Sequence, residues 1–228
     1  MILKEKIDNV RKRIEKAACK SNRMATDITL LCVVKEATIA DVVRAIEDGV
    51  EDLGENRVQD ALLRRDQLSS NLDAIRWHFI GHLQKNKVKK AVRLFDVIHS
   101  LDSLDIAEEI DSSAGDMGKI QEVLLQVNVS GEDTKHGISG ERLSDFIESI
   151  RALENIKVTG LMTLAPYSAN PEDSRPHFKS LRALRDRLAN FNRVNVNISN
   201  LSMGMSGDFE VAIEEGADIV RIGSAIFK

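Results

Sequence analysis

The sequence predicts an α/β fold, a (β/α)8 TIM barrel preceded by an additional N-terminal helix. Near-continuous apolar runs of strand length alternate with amphipathic stretches of helical period, the pattern of a parallel sheet covered by helices. Eight such runs fit within 228 residues, so one compact barrel is more economical than two doubly wound domains, the competing arrangement. No flexible linker interrupts the alternation, and the Gly- and Pro-containing stretches around 130–140 and 165–176 fit loops at barrel ends. The expected organisation is a single domain over residues 1–228, with no second domain.

The elements follow in order. At the amino terminus Ile2, Leu3, Ile7, Val10, Ile14 and the Ala17/Ala18 pair recur near one helical face, which predicts a leading helix of about four turns. ITLLCVV at 28–34 is β-branched and apolar, the first strand. TIADVVRAIEDG then changes to helical period, a helix over 38–48 that Gly49 can end. The same change recurs with strands at 50–53, 77–80, 94–98, 120–127, 157–161, 194–201 and 218–222. The crossover helices lie at 56–68, 84–92, 104–113, 140–153, 174–190 and 206–215, of which 84–92 is short. AIEDGVEDLGEN at 45–56 and AIEEGADIVRIG at 212–223 share one form, a helix ending at Gly and then a short strand. They are analogous βα units.

Charge excludes some classes of partner. Lys and Arg number 32 against 36 Asp and Glu, a net charge of -4, whereas a nucleic-acid-binding domain shows a basic balance or a concentrated basic face. The KNKVKK run from Lys85 to Lys90 fits a solvated helix face. Cys19 and Cys32 form neither a metal-ligand series nor a dense disulfide pattern, and fit free thiols in a reducing compartment. The amino terminus lacks the apolar core of a signal peptide, and no later run is long enough to span a bilayer. Cytoplasmic residence, with no nucleic acid and no membrane as partners, is the expectation.

Candidate chemistry gathers at the strand ends. Lys35 directly follows the first strand, and in a barrel the carboxyl ends of the strands converge on the usual active-site face. A lysine there can form an imine if desolvation or a neighbouring cation lowers its pKa, although a solvated charge ending an element is the commoner role. LSMGMSGDF at 201–209 supplies Ser202, Gly204, Ser206 and Gly207, and VRIGSAIF at 220–227 supplies Arg221, Gly223 and Ser224. Glycine lets backbone approach closely, while amide N–H groups and hydroxyls hold phosphate oxygens. Asn56 in LGEN offers donors and an acceptor, with helix capping as its rival role. His82 can move a proton at the mouth or serve as an ordinary loop histidine. His78 and His82 are four residues apart, but Gly81 and the absence of a consistent third ligand argue against a metal site.

Several ordered motifs then coincide: VVKEAT with Lys35, GENRVQD at 54–60, WHFIGHLQKNK at 77–87, GEDTKHG at 131–137, GLMTLAP at 160–166, LSMGMSGDFEVAI at 201–213 and VRIGSAIF at 220–227. Together they resemble the YggS/PROSC family of pyridoxal-phosphate homeostasis proteins from the first helix to nearly the last residue. The resemblance implies a fold-type III pyridoxal-phosphate barrel related to the barrel domain of alanine racemase. It makes Lys35 the residue of the internal aldimine with pyridoxal 5'-phosphate and sets Arg221 against the pyridine nitrogen. It assigns Ser202, Gly223 and Ser224 to the phosphate, and Asn56 and His82 to the cofactor's surroundings. Lys135 matches a family lysine near the mouth, with a surface role. Glu36 departs from the pattern, where a small polar residue is common.

The function so implied is binding of pyridoxal 5'-phosphate as a lysine Schiff base, with control of the intracellular cofactor pool and transient contact with apoenzymes, in a monomer. A guanidinium facing the ring nitrogen disfavours its protonation and weakens the ring as an electron sink, so a non-catalytic binding protein is expected and no catalytic residue is assigned. The alternative is an amino-acid racemase or another imine enzyme, for which Tyr167, the single tyrosine, is not identified as an opposing base. A barrel binding a phosphorylated metabolite without an imine, and a purely structural barrel, are the remaining rivals.

Overall fold

The computed structural model describes residues 2–68, 74–132, 135–188 and 195–228. The strands are β1 (Thr29–Val33), β2 (Asp52–Glu55), β3 (Arg76–Phe79), β4 (Val97–Leu101), β5 (Gln121–Asn128), β6 (Ile138–Ser139), β7 (Ile156–Met162), β8 (Val196–Met205) and β9 (Ile219–Ile222). All pairings are parallel. Eight strands close in the order β1-β2-β3-β4-β5-β7-β8-β9 and back to β1, while β6 attaches to the end of β5. The helices are α1 (Leu3–Lys20), α2 (Ile39–Glu47), α3 (Val58–Gln67), α4 (Val88–Leu94), α5 (Leu104–Asp116), α6 (Leu143–Ser149), α7 (Arg175–Leu188), α8 (Phe209–Glu214) and α9 (Ser224–Phe227). The expected barrel with its leading helix is the observed fold.

Two layers of core hold it. Alternation along each strand sends one set of side chains into the barrel and the other toward the helices. Inside, Leu31, Val97, Leu124, Met162 and Ile219 pack together. Outside, Cys32, Val34, Leu53, Phe79 and Val220 join the helical faces in the larger cluster. Removing such a side chain from water stabilises by about 2 kcal/mol. Helix α1 buries Ile7, Val10, Ile14, Ala17 and Ala18 and lies against α2, α8 and α9, tying the first βα unit to the last. Thr38 caps α2, its hydroxyl accepting from Asp41 N at 3.2 Å, and Gly49 ends the turn at φ +78.

The structure moves several boundaries. The run expected as a strand at 94–98 is instead the end of α4, a turn, and then β4 at Val97–Leu101. Leu94 and Phe95 are core residues supplied by the helix end, whereas His99 and Ser100 are polar yet fully buried, so hydropathy alone displaces the strand by three residues. Strand β8 runs to Met205, and the helix expected from 206 begins at Phe209. Residue 194 of the expected strand and 189–190 of the expected helix lie outside the described residues. The KNKVKK run begins with a single tight turn at Lys85–Lys87 and buries Val88, leaving Lys85, Lys89 and Lys90 exposed. Both cysteines are free. Among the described residues no helix is long and apolar enough to cross a membrane.

Candidate functional site

Lys35 occupies the turn directly after β1 and is exposed at the mouth where the strands end. The backbone on both sides of it is clamped. The Arg64 guanidinium, from α3, donates to Val34 O at 2.9 Å and to Ala37 O at 3.1 Å. Its Nε pairs with Glu55 at 2.8 Å, and both side chains are almost wholly buried. Burial pushes the Glu55 carboxyl upward, with the Arg64 hydrogen bond and charge pulling against it. On the other side of β1, Cys32 is in register with Ile222 of β9. A Cβ at Gly223 would stand 3.2 Å from Val33 O, so the end of β9 packs tightly on the strand that carries Lys35.

Arg221 is buried inside the barrel just below that mouth. It donates to Ser202 Oγ at 2.7 Å and to Thr163 O at 2.8 Å. Burial brings its pKa down to about 10, with Asp208 opposing the shift, so the group stays cationic at neutral pH. Ser202 is fully buried, and its Oγ also lies 3.0 Å from His99 Nδ1. The Ser202 hydroxyl is therefore engaged within the barrel by Arg221 and His99.

A different serine faces the end of β9. Ser206 Oγ accepts from the backbone N–H groups of Gly223 and Ala225, each at 3.3 Å, while Ser224 is exposed beside them. The sequence places Ser206 in the glycine-serine segment but does not single it out. What brings it to Gly223 is the local path at the end of β8. Gly204 takes φ +90, and a Cβ there would lie 2.5 Å from Ala212 Cβ, so only glycine lets the chain turn against α8. Arg64 and His99 gave no motif signal: one sits in an amphipathic helix, the other in a strand displaced from its expected place.

Asn56 and His82 sit on the next loops around the rim, half-buried and exposed respectively. A Cβ at Gly81 would be 2.1 Å from Asn56 O, so these two loops are in direct backbone contact. His82 stacks on His136 with ring centroids 3.8 Å apart and planes at 12°, and its Nδ1 is 3.9 Å from Asp102 Oδ2. Donor atoms of His82, Asp102 and His136 lie within 4.8 Å of one another, a grouping that sequence spacing did not reveal and that leaves out His78. The rings lie nearly parallel, so their in-plane lone pairs run side by side rather than toward a single point. Burial pushes the Asp102 carboxyl upward, opposed by the two histidines. Lys135 pairs with Glu132 at 3.2 Å; Asp133 and Thr134 of the same motif lie outside the described residues. Glu36 pairs with Lys228 at 2.8 Å, which lowers its pKa. Tyr167 is 95% exposed on the loop after β7.

A barrel with an exposed lysine after β1 and a buried arginine on the adjacent β9 has known relatives. The alanine racemase N-terminal domain family matches residues 6–228. A pyridoxal phosphate homeostasis protein of Aquifex aeolicus is 46% identical over 98% of this chain and 96% of its own. Among solved structures, an unknown protein from Bifidobacterium adolescentis superposes with a TM-score of 0.92 at 35% identity, covering 99% of this chain and 94% of that one. PipY of Synechococcus elongatus, solved with PLP bound, superposes with a TM-score of 0.87 at 30% identity over 100% of both chains. This chain belongs to the family of pyridoxal phosphate homeostasis proteins, built on the alanine racemase N-terminal barrel.

Proposed function

We propose that this protein binds pyridoxal 5'-phosphate as a Schiff base on Lys35 and helps to maintain the intracellular pool of that cofactor, in one barrel domain over residues 1–228. The observation that carries the reading is the adjacency of β1 and β9: Lys35 leaves one strand end while Arg221 and Gly223 form the other. The Gly223 and Ala225 amides suit a phosphate oxygen, because each already donates to an oxygen, Ser206 Oγ. Gly223 and Ser224 complete the set proposed around the phosphate, Ser202 holds Arg221 beneath the ring, and Asn56 and His82 lie on the neighbouring rim. When bound, the cofactor supplies an aldehyde that a neutral lysine amine captures reversibly.

The protein's own groups bias the site toward holding rather than transforming. Arg221 is a buried cation, and a cation at the ring nitrogen opposes protonation there. Tyr167 is solvent-exposed, which argues against the racemase alternative that would use it as an opposing base. Transient contact of the exposed mouth with cofactor-requiring apoenzymes, in a cytoplasmic monomer, is part of the same proposal. Borohydride reduction of the protein mixed with pyridoxal phosphate, followed by peptide mass analysis, tests it. A phosphopyridoxyl mass on the Lys35 peptide supports the assignment; modification spread over surface lysines and absent from Lys35 contradicts it.

A further inference from the structure

Inside the barrel a line of side chains continues beyond Ser202. His99 Nε2 lies 2.8 Å from His78 Nδ1, and His78 Nε2 lies 2.8 Å from Asp52 Oδ1. His78 and His99 are buried, and Asp52 is the first residue of β2. His78 also lines a cavity of about 310 Å³ with Arg76, Val97, Glu122, Lys157 and Asn197, at the end where strands begin. The line therefore crosses the barrel from that end to Thr163 O, which Arg221 reaches just past the end of β7.

The chemistry of the partners gives the line a direction. Arg221 can only donate, so Ser202 Oγ accepts from it and has one proton to give. If that proton goes to His99 Nδ1, His99 carries its hydrogen on Nε2 and donates to His78 Nδ1. His78 then carries its hydrogen on Nε2 and donates to the Asp52 carboxylate. Every group is satisfied with both imidazoles neutral. The reverse order needs His78 to be a cation so that Asp52 still receives a hydrogen, and it leaves the Ser202 proton without a place in the line. Burial above all, with the Arg221 cation adding to it, holds His99 well below the ordinary histidine range, in keeping with the neutral arrangement. Hydrogen bonds arranged head to tail polarise one another.

We infer that Asp52, His78 and His99 are positioning residues for Arg221, forming with Ser202 one head-to-tail column that fixes which N–H groups the guanidinium has left to face the cofactor ring. This rests on the proposed reading of the mouth as a pyridoxal phosphate site. It makes a carboxylate at the opposite end of the barrel a determinant of how the ring nitrogen is met, although Asp52 touches neither cofactor nor Arg221.

The experiment uses the full-length protein, His99→Leu, Asp52→Ala and Asp52→Asn, each checked for folding by thermal melting. Side-chain ¹⁵N spectra of histidine and arginine are recorded without cofactor; affinity and the pH dependence of the visible band are recorded with pyridoxal phosphate. The expected result is Nε2–H on both His78 and His99, and an Arg221 signal that moves in Asp52→Ala and returns toward the parent in Asp52→Asn, which keeps an oxygen acceptor for His78. With cofactor, His99→Leu binds about tenfold more weakly, the scale of one hydrogen bond to a charged group, and its band titrates at a different pH. A hydrogen on His99 Nδ1, or an Arg221 signal and band titration unchanged in folded His99→Leu and Asp52→Ala, overturns the inference. If the expected tautomers and Arg221 response appear but the parent forms no visible band, the column stands as a device for Arg221 and the cofactor reading fails separately.

Discussion

The Arg64 guanidinium and the Glu55 carboxylate pair at 2.8 Å within the barrel wall, and the same guanidinium spans the carbonyls of Val34 and Ala37. A side chain on α3 thus sets the backbone on either side of Lys35. The lysine of the proposal is exposed, while the chain on either side of it is held.

Arg64→Met therefore costs more than a surface change. It leaves Glu55 buried without its cation, a loss of about 3 kcal/mol, measurable by urea unfolding. Combining it with Glu55→Gln recovers part of that loss. A single variant as stable as the parent contradicts the role given to this pair.

Acid should weaken the fold through His99. Its folded pKa is depressed, so below the ordinary value near 6.5 the unfolded chain binds a proton that the native state does not. Stability contributed by this residue is complete above that value and falls as pH drops, by about 1.4 kcal/mol per pH unit for one proton. Unfolding free energies measured from pH 7 to pH 5 should slope less steeply in His99→Gln. Parallel slopes would contradict the burial argument.

The two thiols should differ in reactivity. Cys19 is exposed and Cys32 buried, with burial pushing the Cys32 thiol up to about 12. A disulfide reagent at pH 8 should modify Cys19 alone in the native protein and both after unfolding. Because the Cys32 pKa is raised, its contribution to stability declines above pH 9, where the unfolded thiol ionises first.

Gly204→Ala should destabilise by about 2 kcal/mol or more. The residue sits at φ +90 and the new Cβ would meet Ala212 Cβ at 2.5 Å, combining backbone strain with a core clash. Thermal unfolding checks this, and a melting temperature equal to the parent's would show that the end of β8 can relax.

The alternation of apolar runs and helical stretches made the barrel legible, because hydropathy reports which faces are buried. It misplaced β4 because His99 and Ser100 are buried although polar, His99 through its contacts with His78 and Ser202. Lys35, Gly223 and Ser224 stood out as strand-end residues, and Arg221 took its role from family motifs. Family resemblance assigned Ser202 to the phosphate and left Ser206 unassigned; in the fold Ser202 turns inward to Arg221 and Ser206 meets the Gly223 and Ala225 amides. The column from Arg221 to Asp52 was invisible, since its members come from β2, β3, β4, β8 and β9 and share no spacing. Likewise His82, Asp102 and His136 meet only because three loops share one rim.

The most direct measurement is the visible absorption of the folded protein during titration with pyridoxal phosphate, with Lys35→Ala titrated in parallel. A saturable imine band is expected in the parent and none in the variant. A band of equal size in both contradicts the assignment of Lys35 and places the imine on another amine, while no band in either folded protein moves the site to noncovalent binding of a phosphorylated metabolite.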